Sequence, residues 1–116
     1  MSAPSCTQLH LVLCTCPNTD CAERIARILV LERLAACVTQ FALGQSTYLW
    51  NQQLVTEPEV QLMIKTTFDT LPVLWQRLAD LHPYDVPEAI ALPISAGLPA
   101  YLNWVMQQTQ SSPTAS

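Results

Sequence analysis

The chain has 116 residues, half of them hydrophobic, which is typical of one compact domain. Only 12% of the residues are charged and the net charge is -4, so no basic stripe is available to follow a nucleic-acid backbone. No apolar run approaches the roughly 20 residues of a membrane-spanning helix. These features argue against nucleic-acid and membrane partners, and the scarcity of charge predicts self-association.

The first element is a predicted strand. Residues 8–15 form a short apolar run that is typical of a buried strand, and Pro17 ends it. Thr19 or Asp20 can cap the helix that follows. The apolar residues of this helix recur every three to four positions, and we expect it to end near Leu34.

A long strand pair follows the first helix. Residues 36–54 lack helix-capping chemistry and predict one long strand, broken at Gly44 and turning near Asn51-Gln52. Residues 59–68 alternate between apolar and polar side chains and predict the partner strand. The two strands should therefore form a hairpin.

Three elements complete the chain. Asp69 or Thr70 can cap a second helix over residues 71–81. Residues 89–94 predict a fourth strand, and the apolar spacing over residues 98–105 predicts a third helix.

The predicted order β-α-β-β-α-β, followed by a helix, is the ferredoxin-like split βαβ plan of the α+β class. It implies an antiparallel four-stranded sheet with both main helices on one face. The other face and the edge of the long strand are then left uncovered. A symmetric oligomer would cover both, so we expect a homo-oligomer.

Five cysteines in irregular spacing indicate reduced thiols and a cytoplasmic protein rather than a disulfide framework. The first seven residues lack the basic and apolar segments of a secretory signal. We expect a single domain over residues 8–110, with flexible tails at residues 1–7 and 111–116.

The segment between the second helix and the last strand reads His82-Pro83-Tyr84-Asp85-Val86-Pro87-Glu88. Each proline fixes its own φ and favours an extended conformation for the residue before it, so the loop is stiff. It presents an imidazole, a phenol and carboxylates. A rigid connector explains these residues as well as a binding or catalytic loop does.

This loop resembles the H-P-Y-E/D-V-P-E segment of the CutA family of divalent-cation-tolerance proteins. The resemblance implies a role in the response to metal ions and a PII-like homotrimer, whose three subunits pack their sheets around a threefold axis with strands paired between subunits. One departure is Asn51-Gln52-Gln53, where the family often has a glycine after the tryptophan. Further matches follow in the family's order over about residues 8 to 107, namely Leu34-Ala35-Ala36-Cys37-Val38, Ser46-x-Tyr48-x-Trp50, Ile64-Lys65-Thr66 and Tyr101-Leu102-x-Trp104.

Cys14, Cys16 and Cys21 surround the first strand-to-helix connection. Strand residues i and i+2 share a face with Cα atoms roughly 6.6 Å apart, close enough for two thiolates to bind one soft metal ion. Small buried thiols explain the spacing as well, because it is neither C-x-x-C nor a zinc ribbon. Cys14 is the strongest candidate of the three, since it lies at a strand end where metal-binding CutA-like proteins can carry a cysteine.

His82 is the candidate imidazole ligand, whereas His10 lies in an apolar strand and is expected to pack there. Imidazole suits Cu(II) and thiolate suits Cu(I), so the family resemblance and the chemistry together point to copper. Cys14, Cys16 and His82 are therefore the expected metal ligands. Capping of the preceding helix is the alternative role of His82.

Lys65 is the single lysine and lies in mid-strand, where its ammonium group must be paired or reach a cavity. It either forms an ion pair between subunits or helps to bind a small anionic ligand in a cleft between them. Core packing is the alternative role for the aromatic residues near such a cleft. The candidate ion-pair partners are Glu57, Glu59, Asp85 and Glu88, and the candidate cleft residues besides Lys65 are Trp50, Tyr84, Glu88, Tyr101 and Trp104.

The sequence has only two glycines and carries no phosphate-binding loop, no G-x-S-x-G and no H-E-x-x-H. We therefore expect a protein that is not an enzyme and has no catalytic residues and no organic cofactor. The first hypothesis is a trimeric divalent-cation-tolerance protein that binds copper or another transition metal. The second is a PII-like trimer that senses a small molecule, and the third is a hydrolase that uses His82 and Glu88.

Overall fold

The computed structural model describes residues 8–109, apart from the side chain of residue 43, so the tails expected at residues 1–7 and 111–116 lie outside the described residues. The order of strands and helices matches the prediction. The elements are β1 (Leu9–Cys16), α1 (Thr19–Leu31), β2 (Cys37–Trp50), β3 (Gln53–Thr67), a 3-10 turn (Phe68–Thr70), α2 (Leu71–Leu81), β4 (Ala89–Pro93) and α3 (Pro99–Gln108).

The strands form one antiparallel sheet in the order β2-β3-β1-β4. This topology is the ferredoxin-like split βαβ plan with an added helix, which confirms the predicted α+β fold class. The core lies between one sheet face and the helices α1 and α2. Its fully buried side chains include Val12, Cys14, Cys16, Ile25, Leu29, Leu62, Ile64 and Leu74.

Both ends of α1 differ from the prediction. The N-cap is Asn18 rather than Thr19 or Asp20, and its Oδ1 accepts a hydrogen bond from the N–H of Cys21 at 2.8 Å. The helix ends at Leu31, before the expected position near Leu34.

Arg33 causes the early end of α1. Its φ is 61°, a left-handed conformation that is usually taken by glycine. The Arg33 N–H donates to the Val30 carbonyl at 3.0 Å, and the Leu34 N–H donates to the Leu29 carbonyl at 2.9 Å. These two bonds form a Schellman motif that closes the helix and directs the chain toward β2.

The strands β2 and β3 extend beyond the other two as a two-stranded ribbon, residues 44–50 paired with residues 53–59. The predicted strand start at Glu59 was wrong, since β3 begins at Gln53. Pro58 hid this segment in the sequence. Among residues 8–109, the segment pairs with β2 alone and has no strand on its other side, a position where proline is tolerated.

The predicted interruption at Gly44 is a shift of the β2–β3 register between Phe41 and Gly44, within one continuous strand. The predicted turn at Asn51-Gln52 is confirmed. Both residues have positive φ, 50° and 68°, as in the two-residue turns that join twisted strands. The turn therefore forms without the glycine that is usual there.

The second sheet face is covered at one end, where Val105 of α3 packs with Leu9. Cross-strand partners point to the same face of a sheet. The pairing registers therefore place the apolar side chains of β1, β3 and β4 together on the remainder, the part of this face that α3 leaves uncovered. Ile90 and Leu92 are 52% and 45% exposed there. We call this remainder the open face, and its residues are Leu11, Leu13, Phe41, Met63, Lys65, Ile90 and Leu92.

Candidate metal and ligand sites

Two cysteines and one histidine meet at the end of β1. The Sγ atoms of Cys14 and Cys16 and a ring nitrogen of His82 all lie within 4.8 Å of one another. The pleat of β1 puts both thiols on the helix-facing side, and His82 reaches them from the end of α2. Both cysteines are fully buried and the histidine is 7% exposed. The structure thus brings together the three predicted ligands as one thiol–imidazole cluster.

His82 is held on both sides of its ring. Its Nδ1 accepts the backbone N–H of Tyr84 at 3.2 Å, which leaves the proton on Nε2. Nε2 then donates to the backbone carbonyl of Thr15 at 2.7 Å. A metal ion must replace one of these two hydrogen bonds to bind the ring.

The position of His82 also decides its alternative role. Its backbone is the C-cap of α2, with ψ at 138°, and its N–H donates to the Leu78 carbonyl at 2.9 Å. The ring, however, points to β1, where it contacts the Thr15 carbonyl rather than a carbonyl of α2. The helix is therefore capped by the backbone of His82, which leaves the ring for the cluster.

The environment of Cys16 favours its protonated thiol. The hydrogen bond between Cys14 and Cys16 and their burial raise the pKa of Cys16 far above its ordinary value. The Cys14 thiol also donates to the Thr15 carbonyl, with sulfur and oxygen 3.9 Å apart. Only an ion with high affinity for thiolate can displace such protons. Two thiolates and an imidazole suit Cu(I), so the residues fit that ion.

A second candidate site is a cleft of about 800 Å³ between the ribbon and the loop after α2. It contains three predicted ligand residues, Trp50, Tyr84 and Glu88. Lys65 lies instead on the open face, in register with Leu11. Trp104 lies on α3, where its ring stacks at 5.7 Å from that of Tyr101. One chain therefore brings together three of the five residues, and their grouping in a cleft between subunits stays a prediction.

The described charged residues that line the cleft are all acidic. Four carboxylates line it, and no described lysine or arginine does. Such a wall attracts cations, so a small anionic ligand, expected from the position of Lys65, gains no support here. The four acidic residues are Glu57, Glu59, Asp85 and Glu88.

Glu59 organises the cleft, a role the sequence analysis missed. The residue is only 8% exposed. Its carboxylate accepts hydrogen bonds from Ser46 Oγ at 2.8 Å and from the Tyr84 phenol at 2.7 Å. Burial alone would raise the pKa of Glu59, but hydrogen bonds from Tyr84, Ser46 and Thr15 outweigh it and hold that pKa below its usual value. The only signal in the sequence was a carboxylate that opens an apolar strand segment.

Lys65 is half-buried, and no carboxylate in the described part of the chain lies within 4.0 Å of its ammonium group. Among residues 8–109 the one salt bridge joins Arg77 to Glu32. The predicted partner in another subunit therefore stays a prediction.

The fold and the cluster define a class of protein, the ferredoxin-like α+β domains with a buried thiol–imidazole group at the end of the first strand. Residues 10–108 match the family model described as CutA1 divalent ion tolerance protein. The chain belongs to this family, and the resemblance found in its sequence is confirmed.

Individual relatives agree with this assignment. The chain is 45% identical over 97 residues to Protein CutA of Mus musculus, and the matched region covers 84% of this chain and 55% of the mouse protein. It is 44% identical over 100 residues to the divalent-cation tolerance protein CutA of Thermus thermophilus, and this match covers 86% of the chain and 97% of the bacterial protein. It thus spans about half the length of the mouse relative and nearly all of the bacterial one.

Solved structures are also similar. CutA from Xylella fastidiosa superposes with a TM-score of 0.87 at 46% identity, covering 90% of this chain and all of that one. CutA from Archaeoglobus fulgidus, described as periplasmic, superposes at 0.85 with 28% identity, covering 88% and 99%. Because a relative is described as periplasmic, the cytoplasmic location stays a prediction. Among residues 8–109, no helix is long and apolar enough to cross a membrane.

Proposed function

We propose that this chain is a trimeric divalent-cation-tolerance protein that binds copper through Cys14, Cys16 and His82. The observation that carries the proposal is the convergence of two thiols and one imidazole, all buried, within 4.8 Å. Family membership supports the role in metal tolerance. The choice of metal rests on the donor chemistry, since soft thiolates favour Cu(I) over hard cations.

Each residue has a defined part in binding. Cys14 and Cys16 supply thiolates and release their protons as the ion binds. His82 supplies the third donor once its ring gives up the Thr15 carbonyl or the Tyr84 N–H. The sheet and α2 already hold all three donors close together, so binding requires a change of hydrogen bonds rather than folding.

The test is a titration of reduced protein with Cu(I) against a competing chelator, and separately with Cu(II), which oxidises free thiols. Cys14→Ser and His82→Ala should each weaken Cu(I) binding by at least about tenfold. Cys37→Ser is the matched control, because it removes a half-buried thiol that lies outside the cluster. If all the proteins bind Cu(I) with equal affinity, and likewise Cu(II), the thiols of the cluster have only a packing role.

The trimer is supported by the surface that a single chain leaves exposed. The open face is apolar apart from Lys65, and β2 is an edge strand. The ribbon tip exposes Leu49, Trp50 and Leu54 by 69%, 62% and 73%. A lone chain would present both an apolar surface and an unpaired strand edge. Packing of three sheets with strands paired between subunits covers both. A 12.9 kDa species with native circular dichroism in sedimentation would contradict the proposal.

A second candidate function is a small-molecule sensor that uses the cleft. Its support is the cleft volume of about 800 Å³ and the wall formed by Trp50, Tyr84 and Glu88. A thermal-shift screen with nucleotides, organic cations and divalent ions tests it. A small molecule whose stabilising effect is lost in Glu88→Gln, while Cu(I) affinity is kept, would favour the sensor.

A further inference from the structure

The His82 ring is bonded on both sides to residues that line the cleft. Its Nδ1 accepts the Tyr84 backbone N–H at 3.2 Å, and its Nε2 lies 2.7 Å from the Thr15 carbonyl oxygen. Thr15 and Tyr84 are both among the residues of the cleft wall. The thiol–imidazole cluster and the cleft are therefore in direct contact, and one candidate metal ligand makes that contact.

Metal binding at His82 is incompatible with the hydrogen bond from Tyr84. A histidine that binds a metal through one ring nitrogen carries a proton on the other and donates it to an acceptor. If Nδ1 binds the metal, it has no lone pair left for the Tyr84 N–H. If Nε2 binds the metal, Nδ1 becomes a donor and faces a second donor. The Tyr84 N–H therefore loses its acceptor in either case.

Tyr84 also holds the cleft together. Its phenol donates to Glu59 Oε2 at 2.7 Å, which joins the loop after α2 to the ribbon. Pro83, immediately before Tyr84, has a fixed φ, so few backbone bonds can absorb a shift of the Tyr84 N–H. The rings of His82 and Tyr84 have centroids only 4.8 Å apart, so a movement of one is felt by the other. A change at the imidazole is therefore passed to the phenol.

We propose that metal binding at the cluster controls the cleft through Tyr84. As His82 takes the metal, the Tyr84 N–H leaves Nδ1 and the phenol is released from Glu59, so that one carboxylate oxygen becomes free to face the cleft. The inference rests on the copper site proposed above and concerns how that site is read and regulated. The steps are exchanges of hydrogen bonds and metal ligands, so neither an oxidant nor a reductant is required.

This link makes a buried metal ion detectable at the surface. Cys14 and Cys16 are fully buried and His82 is 7% exposed, so another molecule cannot reach the ion directly. The cleft wall includes exposed residues, among them Asp85 and Glu88. Coupling between two sites is reciprocal. A cleft occupant that takes the place of the phenol at Glu59 should therefore favour metal binding by the same factor by which the metal favours the occupant.

The first test is the Cu(I) affinity of Tyr84→Phe. The phenol bond has to be given up on metal binding, so in the metal-free chain it opposes binding. Its removal should raise the affinity by about tenfold, the effect of one hydrogen bond to a charged group. A purely structural role for the phenol predicts the opposite, since a loosened site binds more weakly. The control is Tyr48→Phe, whose phenol donates to Glu57 in the same cleft, and it should keep the wild-type affinity.

The second test needs no variant. Hydrogen exchange of the Tyr84 backbone N–H is measured by NMR in reduced full-length protein, with and without one equivalent of Cu(I) per chain. The N–H should exchange faster by about tenfold or more when Cu(I) is bound, because it has lost its acceptor. The His82 N–H is the internal control. It donates to the Leu78 carbonyl at 2.9 Å, away from the ring, and its exchange should not change.

Two results would overturn the inference while the proposed function survives. One is a Tyr84→Phe variant that folds, as circular dichroism verifies, and binds Cu(I) no more tightly than the wild type. The other is an exchange rate of the Tyr84 N–H that Cu(I) leaves unchanged or lowers. If the wild type fails to bind Cu(I), or Cys14→Ser binds equally well, the copper site itself is contradicted and the inference falls with it.

Discussion

The phenol of Tyr84 donates a hydrogen bond to Oε2 of Glu59 at 2.7 Å and joins the loop after α2 to the ribbon. Ser46 Oγ donates to the other carboxylate oxygen at 2.8 Å. A buried carboxylate depends on such donors, because they replace the water lost on folding. His82 lies in the same loop, and its ring centroid is 4.8 Å from that of Tyr84. The bond between these two cleft residues therefore also fixes the loop that carries the candidate metal ligand.

We expect Tyr84→Phe to lower the free energy of unfolding by about 1.5 to 3 kcal/mol, because it removes a hydrogen bond to a buried charged group. Tyr48→Phe is the matched control. Its phenol donates to Glu57 at 2.9 Å, but this pair is exposed, so the loss should be below about 0.5 kcal/mol. Denaturant unfolding at one fixed protein concentration measures both variants. Equal losses would mean that Glu59 is solvated in solution.

Glu59 should make stability depend on pH at the acid end. Its pKa is lower in the folded chain than the ordinary value of about 4.3, so the ionised carboxylate stabilises the fold above that value. This contribution is lost as the pH falls through the lowered folded pKa. Glu59→Gln should therefore flatten the fall in melting temperature below about pH 5. Glu57→Gln, at an exposed position on the same strand, serves as the control, and three parallel pH curves would contradict the prediction.

Local pattern predicted the sheet and its faces but not all the element ends. The alternation at residues 60–65 is seen in the structure, with Leu62 and Ile64 buried and Met63 and Lys65 partly exposed. The N-cap was misplaced because Asn18 and its two successors have equivalent capping chemistry. The start of β3 was missed because Pro58 argues against a strand unless the ribbon is known to lack a third strand there.

For the candidate sites too, the sequence predicted some features and missed others. The order of elements brings the end of β1 next to the end of α2, so the meeting of Cys14, Cys16 and His82 followed from topology. The bond between Glu59 and Tyr84 depends on the bulge at Gly44 and on the length of the ribbon, which periodicity does not specify. Lys65 lies on the open face, and its predicted place in a cleft between subunits stays a prediction, because the sequence does not reveal which surfaces meet in an assembly.

Lys65→Met should destabilise the assembly. The residue is half-buried on the open face, and we expect its partner to be a carboxylate of another subunit. Removal of the ammonium group would leave that carboxylate buried and unpaired, which costs about 3 to 5 kcal/mol in fully buried pairs. The control is Arg77→Met, which breaks the exposed pair with Glu32 and should cost less than about 1 kcal/mol. Unchanged melting and unchanged dissociation on dilution would place Lys65 on a solvated surface.

Arg33→Gly should stabilise the chain, although it removes a side chain. The φ of 61° at Arg33 is strained for a residue with a Cβ atom, and the Schellman motif at the end of α1 holds it there. Relief of that strain exceeds the added entropy of glycine in the unfolded chain, so we expect a net gain of about 0.5 to 1 kcal/mol. The guanidinium contact with the Gln107 carbonyl is 3.5 Å long and exposed, and its loss should cost little.

Arg33→Ala separates these effects, because it removes the guanidinium group and keeps Cβ. Denaturant unfolding should order the stabilities as glycine above alanine, with alanine close to the wild type. If alanine and glycine are equally stable, the end of α1 has relaxed out of the left-handed conformation in solution, and the strain assigned to Arg33 is absent. If both fall below the wild type, the contact with α3 stabilises the chain more than the strained backbone destabilises it.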